Sequence, residues 1–171
     1  MAILIETPRL LLKEMSKEDV QNLFDLNNDL EVMRYTGDRS FNNLNEALAY
    51  IQDYQYTYKK HGCGRLSLFN KEKGEYLGWC GLKYLDQKDE ADLGYRLKKQ
   101  FWGKGFATEA ASACLDDGFN RLQLDQIFAT AMKENIPSIN IFKKLGLKYL
   151  KDQDCGCQPG VIYTIRKQEW K

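Results

Sequence analysis

The chain holds a single histidine, His61, and that scarcity closes off much metal and acid–base chemistry at the outset. Zinc sites draw on clustered histidine and cysteine at short, regular spacings. Here the five cysteines, Cys63, Cys80, Cys114, Cys155 and Cys157, are odd in number and irregularly placed, and only the last two are close, as C-x-C. They read as reduced thiols in a reducing compartment, with no disulfide framework and no metal site. Charge of one sign is also missing: 25 basic residues face 24 acidic ones, a net of +1. The clustered basic surface of a nucleic-acid binder is therefore not expected, nor is a membrane-surface partner. No uninterrupted apolar run approaches the roughly 20 residues that a membrane helix needs. The opening "MAILIETPRLLLKEM" has a short apolar run, but acids and a proline follow at once, with neither basic leader nor small-residue cleavage site. The expected location is cytoplasmic. Repeats, low-complexity tracts and Pro/Gly/Ser-rich linkers are absent too, which predicts one domain over residues 1–171.

What is present is alternation and helical periodicity in a mixed order. "PRLLLKEM" after Pro8 reads as a short strand. "SKEDVQNLFDLNND" follows as a helix with Ser16 at its N-cap and Val20, Leu23, Phe24 and Asn27 on one face. Residues 42–60 carry Leu44, Ala47, Leu48 and Ile51 at helical spacing, with Tyr50, Tyr54, Tyr56 and Tyr58 covering the amphipathic helix, until "HGCGRL" breaks it. From Arg65 to Leu97, "RLSLFN", "YLGWCGLKYL" and "ADLGYRL", separated by polar turns, predict an antiparallel meander. In its last strand Ala91, Leu93, Tyr95 and Leu97 share one face, and Asp92, Gly94 and Arg96 the other. A helix follows over about 105–121, with Phe106, Ala107, Ala110, Ala111, Cys114, Leu115 and Phe119 inward. Then come a buried strand "QIFATAM", a short helix "PSINIFKKLG" with Pro137 in its first turn and Gly146 at its end, and a final strand pair, "LKYLKDQ" and "GVIYTIRKQ". The order is that of a mixed α/β (α+β) sheet.

Between the meander and the helix lies "QFWGKGFATEA", Gln100 to Ala110. The first amides of a helix have no partner inside it, and they sit at the positive end of its dipole. Glycines beside them let an anion approach without meeting a β-carbon. The stretch Trp102 to Ala107 is thus a candidate phosphate site, with Thr108 as a possible hydroxyl donor. It is neither a Walker loop, which needs G-K-[ST], nor a Rossmann fingerprint, which needs a third glycine after a parallel unit. Taken alone, the loop fits an anion site and a bare strand-to-helix turn equally well.

The wider pattern adds to this. "QFWGKGFATEA" resembles the Q/R-x-x-G-x-G/A signature of the GNAT superfamily of acetyl-CoA-dependent N-acetyltransferases. "TPRLLLKEMSKEDV", "YLGWCGL", "ADLGYRL" and "KENIPSINIFKKLGLK" resemble, in order and spacing, its branch of ribosomal-protein N-terminal acetyltransferases. The resemblance implies a GNAT-like, mostly antiparallel central sheet with helices on both faces and splayed central strands forming the cofactor cleft. It implies that the amides of Trp102, Gly103, Lys104, Gly105, Phe106 and Ala107 hold the pyrophosphate of acetyl-CoA, with Gln100 opening the motif. The pantetheine arm would pair with the strand edge at Tyr95, Arg96 and Leu97, strand addition by a cofactor. An N–H near Tyr95 would polarise the thioester carbonyl. Asn135 matches the asparagine that contacts the arm, and Ser138 and Asn140 follow near its thiol or phosphate end.

The reaction so implied is direct attack of a neutral primary amine, on a protein N-terminus or a small molecule, on the thioester. Many relatives use a tyrosine on the last helix as the acid for the departing thiolate; Phe142 stands there, leaving Ser138, a water or no acid at all. Asp92 or Glu90 is the candidate base, acting through water, though alternation equally makes Asp92 a solvated surface carboxylate. Glu109 reads as structural and His61 as a loop residue. Tyr35, Phe41, Trp79, Tyr84 and Tyr163 are candidate walls of the acceptor pocket, each also an ordinary core aromatic. Cys155 and Cys157 read as surface thiols. Two rival readings remain: an acyl-CoA-binding regulatory module without transfer, kept open by Phe142, and an interaction domain whose glycine turn binds nothing. The oligomeric expectation is a monomer or a homodimer.

Overall fold

A computed structural model describes residues 2–171. β1 (Leu4–Glu6) and β2 (Leu10–Glu14) form an antiparallel hairpin. Ser16 then opens a capping box with Asp19, whose carboxylate takes the Ser16 amide at 2.9 Å. One 3₁₀ turn (Lys17–Asp19) leads into α1 (Val20–Asn28), followed by α2 (Leu30–Met33), capped by Asp29, and α3 (Leu44–His61), capped by Asn43. The expected meander is β3 (Arg65–Asn70), β4 (Tyr76–Leu85) and β5 (Glu90–Leu97), antiparallel throughout. α4 (Phe106–Asn120) crosses over to β6 (Gln126–Met132); α5 (Ile136–Lys144), β7 (Lys148–Asp152) and β8 (Gly160–Arg166) complete the chain.

The eight strands make one sheet in the order β1-β2-β3-β4-β5-β6-β8-β7. β4 is the buried spine. Its first seven residues are buried, so both faces of this strand are covered. Trp79 faces the side of the N-terminal helices and Cys80 faces α4, where its sulfur lies 3.7 Å from that of Cys114. Two elements escape the sequence reading. β1 has the burial pattern of an exposed strand, and α2 spans four residues, too few for a periodic signal. On α1, Leu26 joins Leu23 and Asn27 in the buried set, whereas Val20 and Phe24 are only partly covered.

One junction sets up everything that follows. β5 and β6 are the sheet's parallel neighbours, joined by the crossover through α4, and their pairing covers only Ala91 with Ile127 and Asp92 with Phe128. Beyond Asp92 the strands part. β6 keeps β8 as its partner along its whole length, Gln126 to Met132, while β5 runs on to Leu97 with the edge toward β6 open.

Candidate active site

The open edge leads straight into the glycine bend. After β5 a 3₁₀ turn (Lys99–Phe101) reverses the chain, and the Trp102 indole N–H ties it back to the Leu97 carbonyl at 2.9 Å. Gly103 and Gly105 both take left-handed conformations, φ 70° and 79°, which side chains rarely adopt. A β-carbon on Gly103 would meet nothing within 4 Å among the described residues, whereas one on Gly105 would lie 3.3 Å from the Arg9 Nη2, so the bend is open at Gly103 and backed by Arg9 at Gly105. The first hydrogen bond of α4 runs from the Glu109 amide to the Gly105 carbonyl, 3.0 Å. The amides just ahead of it are left without helical acceptors at the positive end of the dipole.

This bend, the open edge of β5 and one face of α5 enclose a cleft of about 620 Å³. Tyr95, Arg96 and Leu97 line it, as do Trp102, Gly103, Gly105, Phe106, Ala107 and Thr108, and Asn135, Ser138 and Asn140 from the α5 side. Two expected residues stand outside it. The Gln100 side chain points to Glu75, 3.4 Å away, and Lys104 turns its carbonyl to the Arg9 guanidinium, 3.0 Å. Asn135 is also an N-cap: its Oδ1 accepts the Ser138 amide at 3.3 Å. Phe142 is buried but reaches the cleft, with Tyr163 behind it at 5.6 Å between ring centres. Among the described residues the Tyr95 hydroxyl is buried without a hydrogen-bond partner; burial pushes its pKa up, and the nearby Ser138 side chain works against that shift.

The opposite end of the cleft is built from side chains. Glu31, Tyr35, Thr36 and Asp38, from α2 and the segment after it, face Arg65, Trp79 and Asp92 of the sheet. Asp92 is no solvated surface carboxylate. Its Oδ2 lies 2.6 Å from an Arg65 nitrogen, and the other arm of that guanidinium donates to the Gly81 and Asp92 carbonyls at 2.6 and 2.8 Å. Burial works against the charge on Arg65, yet the Asp92 carboxylate raises its pKa above the ordinary guanidinium value. Arg96 is tied to Asn27 at 2.8 Å and to Asp38 at 2.7 Å, and both arginines lie about 5 Å from the Trp79 ring.

Arg65 lines the cleft beside Asp92, and the sequence reading missed it. Its signal was Gly94, a lone glycine inside an alternating strand, which marks a close approach. A β-carbon there would sit 2.6 Å from the Arg65 Nη2. Tyr35 and Trp79 wall the cleft as expected. Phe41, Tyr84 and Tyr163 do not: Phe41 packs edge-on against Tyr50, and Tyr84 stacks on His61. His61 ends α3 instead of sitting in a loop, with its ring nitrogen 3.2 Å from Asp86. Glu109 is structural: Thr7 and Arg9 donate to it at 2.6 to 3.0 Å, and although burial opposes this, their bonds hold its carboxyl below the usual glutamate value. Among the described residues no group of three or more His, Cys, Asp or Glu is placed to hold a metal ion, and no helix is long and apolar enough to cross a membrane.

A sheet parted beside a left-handed glycine bend leaves a cleft with an open strand edge at one side and free helix amides at its end. Comparison with known proteins makes this specific. The acetyltransferase (GNAT) domain family matches residues 9–148. An uncharacterized N-acetyltransferase, p20, of Bacillus licheniformis is 36% identical over 143 residues, 83% of this chain and 80% of the relative. The spermidine N(1)-acetyltransferase of Escherichia coli is 29% identical over 79% of this chain and 70% of its own length. Among solved structures, the ribosomal-protein-S5-alanine acetyltransferase of Vibrio fischeri superposes with a TM-score of 0.81 at 15% identity, covering 99% of each chain. The chain belongs to the GNAT acetyltransferase family, and it is an acyl-CoA N-acetyltransferase. That membership favours the enzyme over the readings as a passive acyl-CoA module and as a ligand-free interaction domain.

Proposed function

We propose that this protein transfers the acetyl group of acetyl-CoA directly to a primary amine, on a protein N-terminus or a small molecule. The observation that carries the reading is the left-handed bend at Gly103 and Gly105, open at Gly103, beside the unpaired edge of β5. The donors at the bend are backbone amides, suited to a pyrophosphate. The edge from Tyr95 to Leu97 offers main-chain groups to an extended amide-bearing arm, and the thioester is the acyl donor that this arm delivers. An N–H near Tyr95 then lies where charge develops on the carbonyl oxygen.

The acceptor enters from the α2 side, past Tyr35 and Asp38. The ammonium first gives up one proton; as the neutral nitrogen then bonds to the acetyl carbon, the carbon–sulfur bond breaks, the nitrogen's second proton passes to water and the sulfur leaves as thiolate. Ser138, lining the cleft beside Tyr95, is the side chain offered to the sulfur, since Phe142 has no proton to give. Asp92 acts on the ammonium through water, with Arg65 holding its carboxylate in place at 2.6 Å. Relatives bearing the names of a polyamine and of a ribosomal-protein acetyltransferase support both kinds of amine. The test is calorimetric titration with acetyl-CoA, followed by a screen of amines and short peptides with released CoA read by a thiol reagent. Binding with amine-dependent thiol release is expected; binding without release for any amine or peptide overturns the proposal.

A further inference from the structure

The segment Thr7-Pro8-Arg9 lies far in sequence from the glycine bend, and nothing in the reaction above uses it. In space it grips the first turn of α4. The Thr7 hydroxyl and the Arg9 amide donate to one oxygen of Glu109 at 2.6 and 3.0 Å, and Arg9 Nε donates to the other at 2.6 Å. Pro8 between them has a fixed φ and no donor of its own, which stiffens the turn. The Arg9 guanidinium lies 4.5 Å above the Phe106 ring. With Glu109 holding one side of the fork, its Nη1 donates to the Lys104 carbonyl at 3.0 Å.

That last bond fixes a peptide plane. In a trans peptide the carbonyl and the next N–H point in opposite directions. The Lys104 carbonyl faces Arg9, so the Gly105 amide faces away from it, and Gly105 lines the cleft. Left-handed glycines are the residues whose peptide planes flip most freely, so this plane is one that needs holding.

We infer that Arg9 is a positioning residue for the acyl donor: by holding the Lys104 carbonyl it keeps the Gly105 amide turned toward the pyrophosphate. The inference rests on the function proposed above. Glu109 serves as the anchor that aims the guanidinium, and the charge of Arg9 is spent on that carboxylate, not on the ligand.

The test compares two probes on the intact protein: acetyl-CoA, by calorimetry, and S-acetylpantetheine, which has the same arm without the pyrophosphate, by ligand-observed NMR. Loss of one charged hydrogen bond predicts that Arg9→Ala weakens acetyl-CoA roughly tenfold or more, while S-acetylpantetheine stays within about twofold. A purely structural role would weaken both probes by the same factor, and that result, or unchanged acetyl-CoA affinity, overturns the inference. If Arg9→Ala does not fold, Arg9→Lys decides by the same ratio: its single ammonium keeps the Glu109 pair but lacks the fork that also reaches Lys104. A wild-type protein that binds no acetyl-CoA sinks the proposed function as well; wild-type binding with an unaltered ratio in the variant sinks this inference alone.

Discussion

The two ends of the cleft are made of different material. At the α4 end the groups offered to a ligand are main-chain amides, exposed because Gly103 and Gly105 carry no side chain. At the α2 end they are side chains already bonded to one another: Arg65 to Asp92, and Arg96 to Asp38 and Asn27. The first end presents a fixed geometry suited to one ligand. The second is a surface of paired charges whose composition can change without altering the chain's path. On the function proposed above this is a division of labour, with backbone assigned to the donor and side chains to the acceptor.

The strongest way to break this comparison is to fill the bend. Gly103→Val with Gly105→Val removes at least two charge-assisted hydrogen bonds of about 1.5–3 kcal/mol each, so acetyl-CoA affinity should fall roughly 100-fold or more while circular dichroism stays native. Surviving affinity would place the pyrophosphate elsewhere. Next in size is Asp92→Asn at the other end. It leaves the buried Arg65 guanidinium without its counter-charge, and chemical denaturation should show a loss of about 3 kcal/mol. A stable but inactive variant would instead make Asp92 purely catalytic. Asp38→Asn is smaller. Asp38 is largely exposed, so breaking its pair with Arg96 is worth about 1 kcal/mol at most, and the amine KM should move less than about fivefold with acetyl-CoA affinity unchanged.

A pH series sharpens the same contrast. The Glu109 carboxyl is held below its ordinary value of 4.5 in the folded protein, so the unfolded chain binds its proton first as pH falls. Its contribution is therefore present above that value and lost as pH drops through the folded one. The melting-temperature gap between wild type and Glu109→Gln should narrow as the pH is lowered through this range. The smallest effect concerns the thiols. Burial pushes Cys63 up to about 11, and Cys80 and Cys114 are enclosed, whereas Cys157 is exposed. Alkylation of the native protein at pH 8 should label Cys157 and leave those three intact.

How much of this was legible follows from the same division. The glycines of the bend lie within a few residues of one another, so the lining of the α4 end is named from the sequence, although the loop alone fits a bare turn equally well; the Gln100 side chain turns away, because position in a motif does not fix where a side chain points. The α2 end is assembled by contacts spanning 27 residues for Arg65 with Asp92, 58 for Arg96 with Asp38 and 69 for Arg96 with Asn27. Such pairs leave no local period. Asp92 shows the consequence: strand alternation correctly puts it opposite Tyr95, yet whether that face meets water or an arginine is decided by β3. Among the elements, the meander and α3 to α5 follow from alternation, periodicity and caps. β1 and α2 are too short to carry either period.

Two rungs, at Ala91 and Asp92, are the strand pairing that joins the β1–β5 part of the sheet to the part made by β6, β8 and β7, with α4 packed across the junction. A guest laid along the vacant remainder of β5 supplies the missing rungs itself. Loading the donor should thus slow amide deuteration in β6 and β8, strands that need not touch the nucleotide, because a cargo molecule would then be stitching the protein's own framework together.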